Sequence, residues 1–180
     1  MTLKLVASSV ILQATSDRIS SMAHASPVVE DVEITRAFEL LGGRRTLRRP
    51  VHNRLEVHDL IEEGISGHAL KHLVNYVAIL RAPHHATLEK AVGISFRTYQ
   101  RRKDALDKPL SPGQSDRTWR FAEILGRATE LMGSQAEAEE WLERPAIALD
   151  QRKPIDLLST AAGVKSVEDL LTRLEYGVYT

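Results

Sequence analysis

An all-α fold follows from three features of this sequence. From Ile34 onward, apolar residues recur at spacings of three and four, the period of a helix face. Ser, Gly and Pro stand at the ends of these runs, where helix caps need them. No stretch alternates apolar and polar residues over the length of a strand. The composition agrees: 43% hydrophobic, 27% charged and only 5% aromatic residues describe a globular chain weighted towards helix formers.

The elements follow in chain order. Residues 1–30 lack sustained periodicity and are expected to form an N-terminal arm. Ile34, Ala37, Phe38 and Leu41 predict a first helix that stops at Gly42 and Gly43. Val57, Leu60 and Ile61 predict a second, closed by Gly64. Ser66 is expected to cap a third, with a stripe of Ala69, Leu70, Leu73, Val74 and Val77, ended by Pro83. Two short helices over 85–92 and 95–106 are joined by Gly93 and Ile94, the sharp turn of a helix-turn-helix. Pro109, Pro112 and Gly113 punctuate the chain and divide a region 31–113 from a region 114–180. A long helix then carries Phe121, Ile124, Leu125, Ala128, Leu131 and Met132 on one face and ends at Gly133. Ser134 with Glu137 predicts a capped helix limited by Pro145; Pro154 suits the first turn of the next. Ser166 with Asp169 is expected to start the last helix, with Gly177 just past its end.

Charge is segregated, although the net charge is zero. Arg44, Arg45, Arg48, Arg49 and Arg54 form one basic stretch, and Arg97, Arg101, Arg102 and Lys103 another. Glu137, Glu139, Glu140 and Glu143 gather downstream. Any phosphate contact therefore falls to the first two thirds of the chain. With Ser95 at the N-cap, Phe96, Tyr99 and Leu106 lie on one side of the following helix, and Arg97, Thr98 and Arg101 on the other with Arg102 at its edge. Such a face fits a major groove, and arginine there can bind guanine or a phosphate. A solvated charged face on an ordinary helix is the competing reading.

Several classes of function find no support. With no cysteine, disulfides, thiolate metal sites and cysteine nucleophiles are excluded. His68 and His72 have the spacing of a metal pair but lack a third ligand nearby, and solvated histidines are the simpler reading; His84 and His85 read as turn residues. No Ser, His and Asp combination forms a nucleophile motif, so neither catalysis nor a cofactor is expected. No apolar run reaches the roughly 20 residues of a membrane span. The apolar start is interrupted by Ser8 and Ser9 and carries a single Lys4, unlike a signal peptide. A cytoplasmic protein is expected.

Three strings in the last third are distinctive: Ser115-Asp116-Arg117; Ala138-Glu139-Glu140-Trp141-Leu142-Glu143-Arg144-Pro145 leading to Ala148-Leu149-Asp150; and Lys153-Pro154-Ile155-Asp156-Leu157-Leu158-Ser159-Thr160 running through Gly163 to Arg173-Leu174-Glu175-Tyr176-Gly177-Val178-Tyr179. Together with Gly64 and Ile94-Ser95-Phe96-Arg97-Thr98-Tyr99-Gln100-Arg101-Arg102-Lys103, they resemble the Xre/MbcA/ParS antitoxin family, partners of RES-domain toxins, over roughly residues 41–180. The resemblance implies an Xre-like helix-turn-helix region followed by a small helical toxin-binding domain, a dimer, promoter DNA as a partner and a toxin that consumes NAD. The sequence departs from the family at Asp150-Gln151, where glycine is usual, and at Ala82-Pro83-His84-His85.

Local physics accounts for part of these strings. Trp141 reads as a core anchor, Pro154 and Asp156 as first-turn helix residues and Gly177 as a C-cap. The tail is less easily explained, because Tyr176, Val178 and Tyr179 place aromatic and branched side chains where chain ends are normally polar. Arg173, Glu175, Tyr176, Gly177, Val178, Tyr179 and Thr180 are the expected toxin contacts, against a tail folded back on its own dimer. Besides the antitoxin, a stand-alone transcriptional regulator whose C-terminal domain only dimerises remains open, as does an enzyme using the histidines.

Overall fold

Most of the helices begin where short polar side chains satisfy first-turn N–H groups. The computed structural model describes residues 31–81, 86–103 and 105–177. The 1–30 arm, Pro83, His84, His85, Val178, Tyr179 and Thr180 lie outside the described residues. Helix α1 (Val32–Leu40) starts from Asp31, whose carboxylate accepts from the Glu33 and Ile34 N–H groups. After Gly42 and Gly43, both at positive φ, come α2 (Arg44–Leu47), α3 (Arg54–Glu63) capped by Asn53, and α4 (Gly67–Tyr76) capped by Ser66. Next are α5 (Ala78–Arg81), α6 (Ala86–Val92) and α7 (Phe96–Arg102). The long α8 (Pro112–Met132) precedes α9 (Gln135–Glu143), a 3-10 turn at Ile147–Leu149, α10 (Pro154–Leu157) and α11 (Ala161–Glu175). No strand occurs among the described residues, and none of their helices is long and apolar enough to cross a membrane.

Helix α8 is the spine, packed against α1, α3, α6, α9 and α11. Being covered on several sides, it buries more than the single stripe read from its sequence: Trp119, Ala122 and Gly126 are enclosed along with Phe121, Ile124, Leu125 and Ala128. Each fully buried large side chain of this kind contributes roughly 2 kcal/mol. Gly126 admits α1, since a Cβ there would stand 3.2 Å from the Arg36 Cβ. Two buried hydroxyls are hydrogen-bonded, as burial requires. The Ser115 Oγ accepts from the Ile65 N–H at 2.9 Å, and the Thr118 hydroxyl donates to the Gln114 carbonyl. The Leu110 N–H in turn donates to the Ile65 carbonyl, so the turn between α3 and α4 is clamped from both sides.

Four sequence expectations require correction. The third helix does not run to Pro83 but ends at Tyr76, because Val77 is extended and the buried Glu139 carboxylate accepts from the Ile79 N–H at 2.9 Å to start α5. Helix α7 ends at Arg102, not Leu106, whose backbone closes over Gly67 instead. Pro112 and Gly113 do not interrupt the chain: they form the first turn of α8 under a Ser111–Gln114 capping box. The last helix starts at Thr160, whose hydroxyl accepts from the Gly163 N–H, while the Ser166 hydroxyl donates back to the Ala162 carbonyl from mid-helix.

Candidate nucleic-acid interface and C-terminal surface

The turn joining α6 to α7 is built from three residues with separate tasks. Gly93 adopts φ 73°, Ile94 is buried as its anchor, and the Ser95 Oγ accepts from the Thr98 N–H while donating to the Thr98 hydroxyl at 3.0 Å. Arg117 of α8 lies across this turn: its guanidinium donates to the Glu89 and Lys90 carbonyls at 3.0 and 2.6 Å, satisfying the open C-terminal end of α6. A Cβ on Gly93 would stand 2.9 Å from that guanidinium. Helix α6 is held further by Lys90 with Asp156 at 2.7 Å and by Thr87 with Glu143.

Helix α7 packs chiefly on α6, burying Tyr99 and half-burying Phe96, whose rings tilt together 6.2 Å apart. Lys103 lies over the Tyr99 ring, and burial raises the Tyr99 hydroxyl pKa above its usual value. Arg97 and Arg101 are exposed and have no ion-pair partner among the described residues. Arg102 is half-buried and donates to the Pro109 carbonyl, and the Thr98 hydroxyl is engaged by Ser95. The structure thus brings Ser95, Arg97, Thr98, Arg101 and Arg102 onto one short helix, with Arg97 and Arg101 its free cations.

The earlier basic stretch is largely neutralised within the fold. Arg54 faces Glu123 at 2.6 Å, Glu33 at 3.1 Å and Asp31; Arg49 pairs with Glu63; Arg48 pairs with Asp107. Arg44 and Arg45 remain exposed. His68 turns to Asp107 at 3.4 Å while His72 stacks on Tyr76, so the two histidines do not converge, and no metal-ligating cluster occurs among the described residues.

At the other end, Trp141 packs partly buried against the core, and Pro154 occupies the first position of α10. Arg127 of α8 binds the end of α11, reaching the Thr172 hydroxyl at 2.9 Å and Glu175 at 2.7 Å. Arg173 is half-buried, Tyr176 is 77% exposed and Gly177 turns the chain at φ 68°. Between α9 and α10, backbone bonds close a tight loop in which Asp150 and Gln151 take left-handed conformations, φ 53° and 62°, at the positions noted in the sequence as lacking glycine. Sequence reading missed the tasks of Arg117 and Glu139, which act on helix ends 27 and 60 positions away. It also missed Ile147, which is 85% exposed; an apolar residue at the tip of a loop was the available signal.

A domain model described as the antitoxin Xre-like helix-turn-helix domain matches residues 56–123, and one described as the antitoxin Xre/MbcA/ParS C-terminal toxin-binding domain matches residues 127–177. The chain is 28% identical over 158 residues to Antitoxin Xre of Yersinia enterocolitica, covering 87% of this chain and 97% of that protein. It is 25% identical to Antitoxin Xre of Photorhabdus laumondii over 74% of this chain and 88% of that one. It is also 26% identical to the Prs ADP-ribosylating antitoxin of a Sphingobium species over 67% and 78%. Two adjoining domain models in the order of the helices, with relatives spanning both, show that the chain belongs to the Xre/MbcA/ParS family of antitoxins.

Proposed function

We propose that this chain is the antitoxin of a type II toxin–antitoxin pair, acting in the cytoplasm. In this reading it neutralises a RES-domain, NAD-consuming toxin by covering its active site, and binds its own promoter as an autoregulator. The observation that carries the DNA half is the pair of exposed, unneutralised arginines, Arg97 and Arg101, on a helix mounted by a tight glycine turn. Residues 31–113 present that face. Residues 114–180 are assigned to the toxin, with Arg173, Glu175, Tyr176, Gly177, Val178, Tyr179 and Thr180 laid across its cleft. Exposed Tyr176 supplies a rigid ring with a hydroxyl handle. One relative is named a Prs ADP-ribosylating antitoxin; ADP-ribose is taken from NAD, which supports an NAD-consuming partner. The active unit is a homodimer within a larger complex.

The Arg127–Glu175 pair favours a second reading, since it holds the end of α11 on its own chain: a regulator whose C-terminal domain only dimerises. Co-expression with the adjacent open reading frame separates the two. A neutralising complex rescues growth and intracellular NAD, and deleting residues 176–180 releases toxicity while operator binding persists. A truncated chain that is soluble, binds operator and still protects fully removes the tail from the inhibitory surface; an adjacent product that neither binds nor harms the cell favours the regulator.

A further inference from the structure

The loop between α9 and α10 presents apolar surface where a solvated loop has no need of it. Pro145, Ile147 and Ala148 are all exposed, with Ile147 at its tip. The loop is also rigid. The Ala146 N–H donates to the Arg152 carbonyl at 3.1 Å, the Gln151 N–H returns to the Ala146 carbonyl at 3.0 Å, and Leu149 is buried as the anchor of a turn that packs on α11. Its closure holds two non-glycine residues, Asp150 and Gln151, in left-handed conformations, a strained arrangement that persists only where the surroundings over-determine it. An isoleucine held this way loses little conformational freedom on binding, which is what an interface anchor requires.

The flanking charges describe the surface that the anchor meets. Arg152 and Lys153 are exposed without a carboxylate partner among the described residues, whereas Arg144 is already paired with Glu140. A two-fold contact of this chain with itself, centred on the loop, would set these cations against their own copies. The whole loop lies within the segment matched as toxin-binding. We propose that loop 145–153 is a preformed docking element that seats Ile147 in an apolar dimple of the toxin, rimmed by carboxylates that receive Arg152 and Lys153. This rests on the antitoxin reading above and adds a contact separate from the C-terminal tail.

The test uses the full chain carrying Ile147→Lys, co-expressed and titrated with the product of the adjacent open reading frame. Because Ile147 is solvent-exposed, thermal melting and operator binding should match the unsubstituted chain, while affinity for that product falls by about thirty-fold or more and Ile147→Leu restores it. Reversing the cations with Arg152→Glu and Lys153→Glu should slow association by about tenfold at low salt, and the difference should shrink at high salt. Unchanged affinity for Ile147→Lys overturns the proposal, and so does an unchanged affinity accompanied by a loss of mass of the free chain, which would mark the loop as a self-association surface. If the unsubstituted chain itself does not bind the adjacent product, the antitoxin reading fails and this inference fails with it.

Discussion

Ser115 shows how much one side chain can carry. It is completely buried, and its hydroxyl is the acceptor for the Ile65 N–H. Ser115→Ala leaves that N–H unpaired in the core, and a loss of about 1–3 kcal/mol is expected in urea denaturation. Gly163 is more constrained still, because a Cβ there would stand 2.1 Å from the Leu157 carbonyl oxygen, a backbone atom. Gly163→Ala should therefore cost about 2–3 kcal/mol, read from the same curves, as the α10–α11 corner opens. Gln151 lies on the other side of this logic: it occupies a left-handed conformation that costs a side-chain-bearing residue roughly 1–2 kcal/mol. Gln151→Gly should raise the melting temperature slightly, the relief exceeding the extra chain entropy that glycine loses on folding.

At the scale of elements, α7 combines two properties: a fixed mount and a free outer face. Arg117, Gly93 and Ser95 set its position, and no carboxylate among the described residues neutralises Arg97 or Arg101. The double change Arg97→Ala with Arg101→Ala should abolish specific operator binding and lower the salt dependence of residual DNA binding by about two phosphate contacts, without weakening a toxin complex. Retention of operator binding at the unsubstituted concentration would show that another element reads the DNA. The α1–α3–α8 junction has an electrostatic signature of its own. Burial, opposed by Trp119 and Arg54 and reinforced by Glu33 and Asp31, raises the Glu123 carboxyl above its usual range. The fold thus favours the neutral form, so the stability that Glu123 contributes is fully present below the usual carboxylate range and is lost as pH rises through its elevated value. Glu123→Gln removes this dependence, and its stability relative to the parent chain should improve as pH rises from the usual carboxylate range through the elevated Glu123 value, read from urea denaturation across that range.

For the whole molecule, the spine α8 makes one core out of the helices that precede and follow it. It carries Arg117 to the α6–α7 turn and Arg127 to the end of α11, and it packs against α6 as well as α11. Urea unfolding followed by tryptophan fluorescence, which reports Trp119 and Trp141 on α8 and α9, should therefore coincide with unfolding followed by far-UV circular dichroism, which reports all helices. Separate transitions would mean that the two regions fold independently. A shared spine also places α7 and the C-terminal surface in a fixed relation, as the proposed coupling of promoter DNA to a toxin requires.

The sequence by itself determined most of the helical segments, though not the short α2 and α5, and where α4, α7 and α9 begin, because Ser66, Ser95 and Ser134 act on neighbours within three or four positions. It also determined the basic face of α7, a consequence of helical angle alone. Only the tertiary structure decided which arginines stay free. Arg48, Arg49 and Arg54 look equivalent to Arg97 in the sequence and differ because Asp107, Glu63 and Glu123 are brought to them by packing. It likewise decided that α4 stops at Tyr76 and that the last helix starts at Thr160, since Glu139 reaches Ile79 from 60 positions away and Gly163 lets the Leu157 backbone approach closely. The division follows the range of the forces: caps and periodicity are written locally, whereas ion pairs and buried acceptors depend on residues that meet only once the core has closed around α8.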